Sequence, residues 1–182
     1  MTGHISIRTL KPEEITTRVQ SVVSYKIKDE EKVGVILLLY KDARVDMNIL
    51  DEVYGNNNWQ RTHEVINGNL FCNIDIWDED KKTWVRKQDV GTESNTEKEK
   101  GQASDSFKRA GTNIGIGREL YTAPLIFIEL NTEEYEKDDK SKKYKVKNKT
   151  KFKVKTIEYN NNREIIKLQI VDTKNILRFD YK

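Results

Sequence analysis

The sequence predicts an α+β fold: an antiparallel β-β-β-α core with flanking N-terminal helices and a C-terminal β-hairpin extension. Three observations predict it. Between Trp59 and Val90, three stretches suited to strands are separated by two polar turns. Beyond them Ala103, Phe107, Ala110 and Ile114 recur every three or four residues and share one helical face. From Lys137 to Lys182, fifteen Lys and Arg meet six Asp and Glu, an excess of nine that leaves the rest of the 182-residue chain at −6 (3 − 9). A core over 1–130 and a lysine-rich extension over 131–182 follow.

The elements are justified in order. Leu10-Lys11-Pro12-Glu13-Glu14-Ile15 carries helix-start signals, with Thr9 as cap, Pro12 in the first turn and two glutamates at the positive end of the dipole. A helix to about Ser24 is expected, then a charged linker over Lys26 to Lys32. Val33 to Tyr40 (VGVILLLY) has no clear period and reads as a buried strand or as the first part of a helix. Asp42 caps a helix through Tyr54, with Val45, Ile49, Leu50 and Val53 inward, and Gly55 ends it.

Trp59 to Ile66 is a strand, and Asn67-Gly68 predicts a tight hairpin because a type I′ turn needs positive φ at both central residues. Leu70 to Trp77 alternates, with Leu70, Cys72, Ile74 and Ile76 on one face and Phe71, Asn73, Asp75 and Trp77 on the other. Asp78 to Lys82 turns the chain, and Trp84 to Val90 forms the third strand. The long helix then ends among Gly115 and Gly117, and Leu125 to Leu130 forms another strand. Glu133 to Lys143 has no apolar period and is expected to be solvated loop or disorder. Tyr144 to Tyr159 and Arg163 to Val171 form a hairpin around Asn160 to Asn162. Its first strand would carry Lys145, Lys147, Lys149, Lys151, Lys153 and Lys155 on one face, either protecting an edge or binding a polyanion.

Composition narrows the function. Apolar residues make up 36% and charged residues 35%, which suits one domain with an appendage and a heavily solvated surface. Cys72 is the single cysteine, so no intramolecular disulfide forms and a reducing compartment fits. The longest apolar run is too short to span a bilayer, and MTGHISIRTLKPEE lacks the apolar segment of a secretory signal. A soluble, cytoplasmic protein is expected.

Enzyme chemistry has little support. His4 and His63 are far apart, and one cysteine makes no zinc set. Gly111, Gly115 and Gly117 match neither G-x-G-x-x-G nor the Walker pattern, and they close a helix where a phosphate loop would open one. Close packing explains them better. Asp75, Asp78, Glu79, Asp80 and Asp89 could assemble a Mg²⁺ nuclease site, although acidic residues in turns are ordinarily just solvated. No cofactor is called for. Trp59, Trp77 and Trp84 could stack bases, but packing is the first assignment for aromatics on a meander. Lys108 and Arg109 project away from the apolar face of the long helix, and Lys100 lies about two turns earlier on the Lys108 side.

Four pieces of the chain, in order, resemble single-strand annealing proteins of the Rad fifty-two superfamily, most closely the phage Sak type. They are Leu10-Lys11-Pro12-Glu13-Glu14-Ile15-Thr16-Thr17-Arg18; Ala43-Arg44-Val45 through Tyr54-Gly55 to Trp59; Gln88-Asp89-Val90-Gly91; and Ala103-x-Asp105-x-x-Lys108-Arg109-Ala110 with Gly115-Ile116-Gly117-Arg118-x-Leu120-Tyr121. The resemblance spans Leu10 to Tyr121. It implies oligomeric rings that hold single-stranded DNA in a basic groove and anneal complementary strands without ATP, in phage-type recombination and repair. Lys108 and Arg109 fall on the family's DNA-contacting pair, and Lys100 on another basic position. Arg44 matches a further one with a one-residue length difference, and Lys82 falls near one in the turn before the third strand. Thr112 stands where some relatives carry Arg. A phage exonuclease or a host single-strand-binding protein is an implied partner. The alternatives are a single-strand-binding module without annealing, a metal-dependent nuclease, or an interaction protein with a basic tail.

Overall fold

The computed structural model describes residues 6–92 and 98–182, the backbone alone for 98–100. It is mixed α and β, with mostly antiparallel sheets and two α-helices. In chain order the strands are β1 Ile15–Ile27, β2 Glu30–Lys41, β3 Trp59–Ile66, β4 Asn69–Asp78, β5 Thr83–Val90, β6 Ile126–Glu129, β7 Tyr135–Lys137, β8 Tyr144–Val146, β9 Phe152–Tyr159, β10 Ile165–Asp172 and β11 Leu177–Tyr181. The helices are α1 Ala43–Tyr54 and α2 Lys98–Ile114. Two compact units result: 6–10 with 41–118, and 11–40 with 119–182. No helix among the described residues is long and apolar enough to cross a membrane.

In the first unit, β3, β4 and β5 form an antiparallel sheet. Asn67 and Gly68 turn its first hairpin with φ of 51° and 78°, as their identities demand. Asp42 caps α1 by accepting from the Arg44 N–H at 2.9 Å, and Gly55 ends it at a φ of 77°. Helix α2 buries Phe107 and Ala110, and β4 buries Cys72 and Ile74. Phe107 stacks on Trp59 at 6.4 Å and lies under the Arg61 guanidinium at 4.6 Å, which fixes the helix on the sheet. Gly91 is needed at the start of this packing, since a Cβ there would collide with the Gln102 carbonyl and Ser106.

The second unit is a six-stranded sheet in the order β11-β10-β9-β1-β2-β6. Its core is Ile15, Val33, Val35, Leu37, Ile126, Ile128, Val154, Ile157, Leu168 and Ile170, all buried. This sheet overturns the expected helix over Leu10 to Ser24. Pro12 does open a helical turn, but Lys11 stands at its N-cap in place of the expected Thr9, the Lys11 N–H donating to Glu14 Oε2 at 2.8 Å, and the turn is a single 3-10 turn, Pro12–Glu14. The following ITTRVQSVVSYKI is rich in β-branched residues, which lose side-chain freedom in a helix and pack well on a pleated surface. Val33 to Tyr40 takes the strand alternative. The expected linker becomes a two-residue turn at Lys28 and Asp29, with φ of 48° and 67°.

Three further expectations change. The boundary at residue 130 does not divide the fold, because Thr16 of β1 pairs with Lys153 of β9. The expected loop over Glu133 to Lys143 contains β7, which pairs with β8. Tyr144 to Lys155 is not one strand: β8 stops at Val146, the Thr150 N–H closes a turn on the Lys147 carbonyl at 2.9 Å, and β9 starts at Phe152. The C-terminal hairpin itself forms as β9 and β10, and β11 adds a strand to it.

Candidate nucleic-acid interface

All five expected cations belong to the first unit. Helix α2 keeps its apolar side on the sheet, so Lys108 is half-buried and Arg109 exposed. Arg109 Nε lies 3.3 Å from Asp89 Oδ1, and Asn113 donates to the other oxygen of that carboxylate at 3.2 Å. Lys108 lies within the electrostatic reach of Asp42 and Asp46. Arg44 is exposed and donates to Asp42 from Nε at 2.9 Å. That bond, with the Arg44 backbone N–H and the Lys108 charge, holds the Asp42 carboxyl below its usual range. Arg44 and Lys108 therefore share the neighbourhood of one carboxylate.

Lys82 is not joined to them. Its ammonium is held by Glu79 within its own turn, and five residues of β5, Thr83 to Lys87, separate it from Gln88 beside the end of α2, about 20 Å along the extended chain. Lys100 falls on the first turn of α2, and its side chain lies outside the described residues, as does His4.

A buried ion pair underlies the site, and sequence reading missed it. Lys41 Nζ bonds Asp46 Oδ1 at 2.5 Å, with the two side chains only 6% and 0% exposed. The same ammonium donates to the Lys108 carbonyl at 3.2 Å, linking the end of β2, helix α1 and helix α2. Burial raises the Asp46 carboxyl to about 6, against the pull of Lys41. A Cβ on Gly111 would collide with Asp46, and one on Gly117, where φ is 73°, with Lys41. The two glycines thus admit the pair, which is the close packing expected of them. Arg118 caps α2, its guanidinium donating to the carbonyls of Thr112 at 2.7 Å and Asn113 at 2.8 Å.

The face of β3–β5 away from α2 is polar and interlocked. Arg86 forks onto Asp75 at 2.7 and 3.0 Å, and Asn73 bonds Thr62, Glu64 and Gln88. Trp77 meets Trp84 edge-on at 5.5 Å and donates to Glu79 at 2.6 Å. Register places Asp75 opposite Arg86 and Asp89 opposite Cys72, so Asp75 and Asp89 stand on opposite faces of the sheet. Among the described residues no three His, Cys, Asp or Glu side chains converge. The Cys72 thiol is buried, and burial pushes it up to about 11, which makes it a poor nucleophile. Comparison with models of protein families, with curated proteins and with solved structures finds no match to this chain.

Proposed function

We propose that the chain binds single-stranded DNA through its phosphates and anneals complementary strands without ATP, as the family resemblance implies. The β-β-β-α arrangement of β3, β4, β5 and α2 would be its core. The observation that carries this reading is the division of α2 into an apolar side on the sheet and a side presenting Lys108 and Arg109. Annealing needs base edges left free, so contacts should go to phosphate and be indifferent to sequence. Duplex formation is downhill and requires no hydrolysis, which agrees with the lack of a Walker pattern.

A ring-shaped homo-oligomer fits the outer edges of β3 and β5, which pair with no further strand among the described residues and which subunit packing would cover. Light scattering tests it, and a strict monomer with and without DNA contradicts it.

The functional test is an annealing assay on complementary oligonucleotides, with and without Mg²⁺. Annealing without Mg²⁺ and without strand cleavage is expected. Binding without annealing would favour a protective single-strand binder, and Mg²⁺-dependent cleavage a nuclease. Lys108→Ala with Arg109→Ala should lower the salt dependence of binding by up to about two phosphate contacts, roughly 0.7 of slope each. A folded double variant with wild-type affinity and slope would sink the assignment.

A further inference from the structure

The lysines around β9 differ from Lys41 and Lys82 of the first unit, which are both held by carboxylates. Lys145, on β8, is bound to Asp138 at 2.7 Å and faces Glu136 across the hairpin. Lys151, Lys153 and Lys155 are exposed, while Phe152 between them is half-buried and Val154 buried. Among the described residues none of the three makes an ion pair within 4.0 Å. The next carboxylate along the strand, Glu158, is held by Lys167 at 2.7 Å. Thr16 is the cross-strand partner of Lys153, so exposed Arg18, two residues further along β1, lies on the Lys153 face.

Edge protection does not account for this charge. β9 lies inside the sheet, between β10 and β1, and lysines guard edges where a strand is open to pairing. The register shift opposite Gln169 and Ile170 leaves Lys155 without a partner on β10, the mark of a bulge. The sequence stretches of the second unit hold twenty Lys and Arg against sixteen Asp and Glu, a net +4, so no general acidity offsets the cluster.

We infer that Lys151, Lys153 and Lys155, with Arg18 beside them, form a phosphate-binding strip for single-stranded DNA. The inference rests on the reading of the chain as a single-strand binder and adds a second contact surface to it. Alternate residues of an extended chain are about 6.8 Å apart, and the three lysines follow one another along the chain, Lys151 one residue before β9 and Lys155 at its bulge. Three unpaired ammonium groups meet three phosphates, each releasing counterions.

The test is Lys151→Gln, Lys153→Gln and Lys155→Gln together in the full chain, with Arg18→Gln as a separate variant. Binding to an oligothymidylate is measured between 50 and 200 mM salt, about the range over which such slopes are read. The triple variant should lose about 2 units of slope, roughly 0.7 per phosphate, with an unchanged circular dichroism spectrum. An unchanged slope overturns the strip, including the case where only binding to anionic vesicles falls. Annealing is read in the same samples. Wild-type annealing with an unchanged slope overturns the strip alone; a lowered slope in a chain that never anneals overturns the annealing reading alone.

Discussion

The two units differ in net charge and in which cations they leave open. The sequence stretches of the first hold thirteen Lys and Arg against fourteen Asp and Glu, a net −1, although they contain every cation that the family resemblance assigns to DNA. There Arg44, Lys82 and Arg109 each face a carboxylate, and Lys41 is sealed against Asp46. The second unit, at +4, also pairs its deeper cations, Arg178 with Glu134 and Arg163 with Glu119, but leaves the β9 lysines open. Position on a helix surface is therefore a poor measure of a cation's availability. A phosphate at Arg109 would have to displace Asp89, whereas at Lys153 and Lys155 of β9 it would meet no carboxylate paired within 4.0 Å among the described residues.

The largest effect should come from the buried pair. Lys41→Met leaves the Asp46 carboxylate buried without its partner and should cost about 3–5 kcal/mol in urea unfolding. Adding Asp46→Leu should recover most of that loss. In the second unit Glu119→Gln should cost less, about 1–3 kcal/mol, because Arg163 is 32% exposed and keeps access to water. Equal losses would show that burial does not set the difference.

Acidification sharpens the contrast. Burial raises Asp46 from 3.8 to about 6, so the folded state binds this proton more tightly than the unfolded chain does. The stability from this group is fully present below about 3.8 and is lost as pH rises through about 6, by up to roughly 3 kcal/mol. Glu134 has the opposite sign. The Arg178 hydrogen bond holds it below 4.5, so its contribution is present above 4.5 and fades as pH falls through its lower folded value. Unfolding of wild type, Asp46→Asn and Glu134→Gln, followed from about pH 3 to about pH 7, should show the Asp46 difference changing between about 3.8 and 6 and the Glu134 difference changing in the opposite sense below 4.5. Parallel differences would contradict the assignment.

The smallest effect concerns Asp89. Asp89→Asn keeps an acceptor for the Val90 N–H, at 2.8 Å in the native chain, but removes the charge that competes with phosphate. An exposed pair is worth about 0.2–1 kcal/mol, so affinity for single-stranded DNA should rise by about five-fold at most. Unaltered affinity would mean that Arg109 is not a phosphate contact or that Asp89 does not restrain it.

What the sequence determined by itself is local. Asp42 caps α1, Asn67-Gly68 turns β3 into β4, and the spacing of Phe107 and Ala110 settles which side of α2 meets the sheet. Each depends on residues within one or two turns of chain. The tertiary structure decided what depends on distant partners. Pro12, Glu13 and Glu14 begin a helical turn as read, yet Ile15–Ile27 becomes a strand between β9 and β2, with Thr17 Oγ1 donating to the Phe152 carbonyl 135 residues away at 2.7 Å. The same holds for the site. That Lys108 and Arg109 both point away from the apolar face of α2 is legible in their spacing. That Asp89 holds Arg109, that Lys41 and Asp46 are buried beneath Lys108, and that only part of the lysine ladder is open are not, because each depends on which carboxylate folding brings within about 4 Å of which cation.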